Sequence, residues 1–392
     1  LVEAVKVTPR GLARLNAGHP WIFRADLADG GARPETETVV VTDPRGRCMG
    51  SAFFAPPPSP VALRVYARGA SAVPFDERLL AERIDLAVCR REEMLGEAAG
   101  ACRLVHAEAD LLPGLFVDRY EDVVVLQTAT APMDRREEVI ARLLARRVAA
   151  RLVVARDDGS VRDHEGLPRR KGVLFGQGST RARFCEGTAV FEVDVLADAK
   201  TGGFLDQREN HLAAGRIAKG EALDVFTYHG GFAFALAGGA ASVLAVDEDP
   251  TAVERARANA VLSGRTNVEL RQADAFALLR ELERTGRRFD TIVLDPPALA
   301  KRHGTVTSAL RAYHELNLRA LRLLRANGWL ITCSCSGRVT PALFEEMLVK
   351  AASDAAREVA IVERRGAGRD HPERLGVLET SYLKCWFLRV LS

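Results

Sequence analysis

The sequence predicts an α/β protein whose C-terminal half is a doubly wound parallel sheet, preceded by a small β module and a central α+β region. Three observations lead there. From residue 200 onward, apolar strand-like segments alternate with helical stretches. Four of those segments end on an acid. Residues 1–70, by contrast, hold only short apolar runs separated by turns.

In order along the chain, "VVVTDPRGRCMGSAFF" reads as a hairpin, two apolar runs around an Asp-Pro-Arg-Gly turn. "APPPSP" (55–60) breaks the chain and "VALRVYAR" resumes as a strand. Apolar residues at Leu79, Leu80, Ile84, Leu86, Val88 and Met94, with charges between them, predict a helix. "RLVHAEADLLPGLFVDRYEDVVVLQTA" reads as strands joined by a Leu-Pro-Gly turn, 132–148 as a helix, and "RLVVAR", "GVLFGQG" and "AVFEVDVLAD" as further strands. "EALDVF", "SVLAVDED", "NVELRQAD", "DTIVLDPP" and "WLITCSCS" then form the parallel series, and "YLKCWFLRVL" is expected to pair at its far edge. The expected domains are 1–70, 71–195 and 196–392.

The 47% hydrophobic and 27% charged fractions are those of a protein with real cores. No apolar run approaches the roughly 18 residues that span a bilayer, and the N-terminus lacks the pattern of a signal peptide. Seven sparse, irregularly spaced cysteines point to reduced thiols in a cytoplasm rather than disulfides, and no spacing suggests zinc. Cys48, Cys89, Cys102, Cys185 and Cys385 read as small buried apolar residues. Net charge is only +3, but residues 142–183 hold eleven Lys/Arg against four acids, which reads as a phosphate-facing patch or as an Arg-rich solvated surface.

Ligands of open α/β sheets sit outside the carboxyl ends of the strands. Asp224 stands at the first such end, followed by "VFTYHGGF", whose glycines permit close backbone approach. Asp247 ends the next strand, where an acid can bind two ribose hydroxyls, and Asp274 and Asp295 stand at the third and fourth. Each could also be a helix cap. The lack of G-x-G-x-x-G and of a Walker loop disfavours dinucleotides and nucleotide hydrolysis. An adenosine ligand without phosphates, S-adenosylmethionine, suits this turn. Beside Asp295, Cys333 and Cys335 in "GWLITCSCSGRVT" are candidate nucleophiles, with a structural reading as two small buried thiols.

These segments resemble the RlmI-like ribosomal RNA methyltransferases nearly end to end. "GHPWIF" (18–23) is similar to the opening of their PUA domain, "LPGLFVDRY" (112–120) to the central domain, and "KTGGFLDQREN" (200–210) to the entrance of the class I, Rossmann-like methyltransferase domain. "DPPALAK", "AYHELNLRALRLLRANGWLITCSCS" and "DHPERLGVLETSYLK" complete the likeness. His229 and Leu299 depart from it, Leu299 near the expected base pocket. The resemblance implies methylation of cytosine carbon 5 in ribosomal RNA, most plainly of the large subunit. It implies donor-site roles for Phe226, Tyr228, Gly230, Asp247, Asp274 and Asp295, with Gln207 and Arg208 near the pocket.

In such chemistry a thiolate adds to carbon 6, carbon 5 takes the methyl group, and loss of the carbon 5 proton expels the thiol. Asp295 would hydrogen-bond the base edge. Cys335 is the favoured nucleophile, by analogy of spacing with other RNA cytosine methyltransferases, with Cys333 as the alternative. Trp21 is expected to pin the PUA core, and His371 to cap or pack. Rival readings are a guanine-N7 methyltransferase and a non-catalytic RNA-binding assembly factor. The expected partner is ribosomal RNA, with a homodimer through the end strand or PUA module as a further expectation.

Overall fold

The structure is a computed structural model that describes residues 3–28, 34–299 and 305–392, so the last residues of the "DPPALAK" segment lie outside it. The chain divides into two compact units, Leu1–Phe184 with Val193–Gly203 and Arg369–Thr380, and Cys185–Glu192 with Phe204–Gly368 and Ser381–Ser392.

The first unit contains two five-stranded sheets. The N-terminal one orders Ala4–Lys6, Thr38–Thr42, Cys48–Phe54, Val61–Arg68 and Trp21–Phe23. The expected hairpin turn forms because the Asp43 carboxylate accepts from the Arg45 and Arg47 amides at 2.8 and 2.9 Å. Val5, Val39, Val41, Ile22, Leu63 and Val65 close its core.

The second sheet orders Arg170–Gly176, Leu152–Asp157, Val123–Thr128, Leu115–Tyr120 and Ala101–His106. Helices Glu77–Leu95 and Glu137–Arg147 contribute Leu80, Ile84, Ile140 and Leu144 to its core. Trp21 does not lie in the apolar core as expected. It is half-buried, donates Nε1–H to Glu108 at 2.8 Å and lies under the Arg64 guanidinium. His371 is buried beside Asp370, 5.4 Å from the His106 ring, a packing position.

The 142–183 arginines differ from a bare basic patch. At least seven of them form ion pairs: Arg142, Arg147, Arg151, Arg156, Arg162, Arg169 and Arg170. Several of the acids that pair with them, among them Glu92, Asp122, Asp134 and Glu137, lie outside the segment, so a local charge count could not see them. Cys89 and Cys185 are exposed rather than buried, and among the described residues no cysteine is in a disulfide.

The second unit holds a seven-stranded sheet: Glu221–Val225 (β1), Ser242–Asp247 (β2), Val268–Gln272 (β3), Phe289–Leu294 (β4), Leu324–Ser334 (β5), Val359–Arg365 (β6) and Lys384–Val390 (β7). Their order is 3-2-1-4-5-7-6. The first five are mutually parallel, and β7 runs antiparallel between β5 and β6. The end strand is therefore not at the edge. Its two sides are both paired, which removes it as a route to a dimer. The edge is β6, whose Glu363 and Arg364 are exposed. Its charged half breaks the apolar signal of a strand while guarding the edge against further pairing. Leu223, Leu244, Ile292, Leu294 and Leu330 pack with Tyr313, Phe344 and Trp386 into one core.

Candidate active site

The strand order reverses between β1 and β4, so a crevice opens at their carboxyl ends. Phe226, Asp247, Asp274, Asp295 and Cys335 all stand at or just past the ends of β1 to β5. The sheet thus brings the expected residues to one rim.

The turn after β1 is built for close approach. Phe226 and Tyr228 take left-handed backbone at φ +71° and +49°, costly for bulky residues, and Gly230 follows at +95°. A Cβ on Gly230 would lie 2.4 Å from the Phe234 ring, and one on Gly231 2.3 Å from the His211 ring. The Phe226 and Thr227 amides are held by the Val246 carbonyl, both at 2.9 Å. Asp247 receives the Tyr228 amide at 2.9 Å and the Asp249 amide at 3.0 Å, which fixes its carboxylate at the mouth of the turn. Burial pushes its pKa up despite these donors.

Asp224 is wholly buried, accepts from Thr227 Oγ1 at 2.6 Å, and has no partner of ordinary geometry for Oδ1. Burial, with the Asp295 charge nearby, pushes it up to about 7, opposed by Thr227 and His211. His211 donates Nδ1–H to the Glu186 carboxylate at 2.7 Å, and this carboxylate raises its pKa against the effect of burial. Gln207 is buried, accepts from Asn210 at 2.7 Å and gives Nε2 no partner of ordinary geometry, its amide lying against the Cys333 thiol, while Arg208 begins the helix Arg208–Ile217. His229, the departure from the family pattern, stacks on Tyr228 at 3.6 Å and is pushed by burial down to about 3, hence neutral. Asp274 is exposed and caps helix Ala275–Arg284, accepting from Ala277 at 2.8 Å.

The two thiols part company. Cys333 lies within β5, is 0% exposed, and faces Cys385 across the β5–β7 register. Burial pushes its thiol well up. Cys335 lies just beyond Ser334, the last residue of β5, is partly exposed, and directs its thiol to the Pro296 carbonyl at 3.9 Å. Leu299 is buried in the core beside this segment.

Two residues near the thiol carry signals too faint to single out in the sequence. Lys384 is a charge at the start of the apolar run of β7, yet it is 4% exposed. Tyr313 is a buried phenol facing Ser334 without closing a bond of ordinary geometry, and burial pushes its pKa up.

The donor fits this crevice on the structure's own terms. Buried polar atoms of Asp224 and Gln207 without partners of ordinary geometry lie in the unit whose Gly230–Gly231 turn packs against Phe234 and His211 too tightly for any Cβ. Asp247, held by two amides at the turn, is the acid that could accept from ribose hydroxyls. When bound, the methyl donor would supply an electrophilic methyl group, and these side chains would be the ones to hold it.

Comparison with known proteins agrees. A family model described as S-adenosylmethionine-dependent methyltransferase matches residues 142–388, and a PUA-like domain matches 5–68. Among relatives named ribosomal RNA large subunit methyltransferase I, that of Tolumonas auensis is 36% identical over 381 residues, covering 95% of this chain and 96% of the relative. That of Shewanella denitrificans is 35% identical over 394 residues, covering 98% and 99%. In fold, a Streptococcus mutans chain described as a candidate S-adenosylmethionine-dependent methyltransferase aligns with TM-score 0.84 at 19% identity, over 99% of this chain and 100% of its own. A candidate methyltransferase solved in complex with SAH gives 0.86 at 18%, again over 99% and 100%. The chain belongs to the S-adenosylmethionine-dependent methyltransferase family, in the group whose curated members are named ribosomal RNA large subunit methyltransferase I.

Proposed function

We propose that this protein methylates carbon 5 of a cytosine in large-subunit ribosomal RNA, with Cys335 as the nucleophile and S-adenosylmethionine as donor. The observation that supports the reading is the contact of the Cys335 thiol with the Pro296 carbonyl at 3.9 Å, a sulfur beside the Asp295-Pro296-Pro297 segment. Cytosine carbon 5 is a poor nucleophile. Addition of the Cys335 thiolate at carbon 6 makes it enamine-like, so it takes the methyl group. Loss of the carbon 5 proton to a base then restores the ring and expels the thiolate. Asp295 holds the base edge, and the prolines keep that backbone rigid, worth several kcal/mol of preorganisation. Cys333 is too deeply buried to reach a base, so it serves the core. A substrate of this kind places the protein in the cytoplasm.

RNA carrying 5-fluorocytosine cannot lose a proton at carbon 5, so the enzyme is trapped as a covalent adduct. The expected result is an adduct on the Cys335 peptide. Cys335→Ala is expected to abolish both adduct and methylation while binding S-adenosylhomocysteine normally. Methyl transfer to guanine N7, or full activity of Cys335→Ala, would overturn the reading.

A further inference from the structure

Lys384 opens β7 with its side chain almost wholly buried. A buried ammonium is costly unless its protons find acceptors. Nζ donates to the Ser336 carbonyl at 2.7 Å and to the Tyr382 carbonyl at 2.9 Å. Ser336 directly follows Cys335, and Ser334, which directly precedes it, is the cross-strand partner of Lys384. The cation is thus held at the carbonyl that follows the thiol residue, while its backbone pairs with the residue that precedes it. Among the described residues Lys384 forms no salt bridge, so its partners are neutral carbonyls and its charge is not cancelled by a carboxylate.

The other ionisable groups around the thiol do not favour a sulfur anion. Asp295, past the end of β4, is of like charge, and the phenol of Tyr313, from the helix Val306–Leu323, is a neutral group held protonated by burial. Cys333 and Cys385, on β5 and β7, are buried thiols. Lys384, among the described residues, is a group of opposite sign that interacts with the thiol. Burial pulls its own pKa down to about 8, while attraction to Cys335 pulls it up.

We propose that Lys384 is a positioning residue for methyl transfer, a buried cation that stabilises the anionic sulfur of Cys335 against the neighbouring Asp295. The proposal rests on Cys335 being the nucleophile, as read above. A nearby cation favours the thiolate, and the thiolate is the attacking species. The ammonium transfers no proton in this role. It lowers the pH at which Cys335 becomes reactive.

The test follows alkylation of Cys335 by iodoacetamide against pH, read by peptide mass spectrometry on the full chain, with exposed Cys89 as internal standard. In Lys384→Met the Cys335 profile is expected to move up by about one pH unit or more, a roughly tenfold slower reaction at pH 7. Lys384→Arg, which keeps the charge, is expected to stay near the wild-type profile. Superimposable profiles for Lys384→Met and wild type, with S-adenosylhomocysteine binding intact, would sink the idea. Should Lys384→Met not fold, the reciprocal measurement decides. In Cys335→Ala labelled with carbon-13 at lysine Cε, NMR titration should place Lys384 lower than in wild type, and an unchanged titration is the contrary result. Methylation surviving in Cys335→Ala refutes the nucleophile reading instead, so the two failures are distinct.

Discussion

Gly230 and Asp224 show how much of the donor site depends on single atoms. Gly230 combines a φ of +95° with a Phe234 ring that occupies the space of any Cβ. Gly230→Ala should therefore cost about 1–3 kcal/mol and weaken S-adenosylhomocysteine binding, measured by thermal melting and calorimetry. Retained affinity would show that the turn does not need its close approach. Asp224 has its pKa raised to about 7 from an ordinary 3.8, so the ionised form is disfavoured in the fold. Its contribution is fully present below about pH 4 and is lost as pH rises through about 7. Asp224→Asn cannot ionise, so its melting temperature should gain on wild type as pH is raised across that interval. The gain is at most about 1.4 kcal/mol for each pH unit crossed. A difference that does not vary with pH would contradict this.

At the scale of elements, strand ends and helix starts coincide, and one residue can serve both. Asp274 caps the helix Ala275–Arg284 and also stands at the rim of the crevice. Asp274→Ala should lose about 1 kcal/mol of stability together with donor affinity. Asp274→Ser keeps a capping oxygen, so it should restore stability without restoring affinity. If both variants bind S-adenosylhomocysteine as wild type does, Asp274 is a cap alone. The segments with strong periodicity, from "EALDVF" to "WLITCSCS", were legible as strands because alternation and apolar runs are local. β6 was not, since an edge strand half made of charges looks like a surface segment.

Across the whole molecule, charge is organised by pairing rather than by composition. Arg169 is bound to Asp163, and Arg147 to Glu92 at 2.7 Å. Arg169→Ala and Arg147→Ala should each leave RNA affinity within about twofold and the salt slope of binding unchanged, because an arginine already paired releases few counterions. A fall in slope of about one for each substitution would restore the 142–183 segment as a phosphate surface. Among the described residues no helix is long and apolar enough to cross a membrane, in line with the absence of such a run in the sequence.

The sequence alone determined the α/β series, the hairpin at Asp43, the acids near the ends of β1 to β4 and the family. These depend on side-chain periodicity, turn chemistry and motif order, all of which act over a few residues. Tertiary structure alone decided that β7 lies inside the sheet, that Cys333 is sealed while Cys335 meets Pro296, that arginines find distant acids, and that Lys384 binds the carbonyl next to the thiol residue. Each depends on which segments pair across tens or hundreds of residues. Burial and Coulomb energy are set by those neighbours, not by the residues next in the chain.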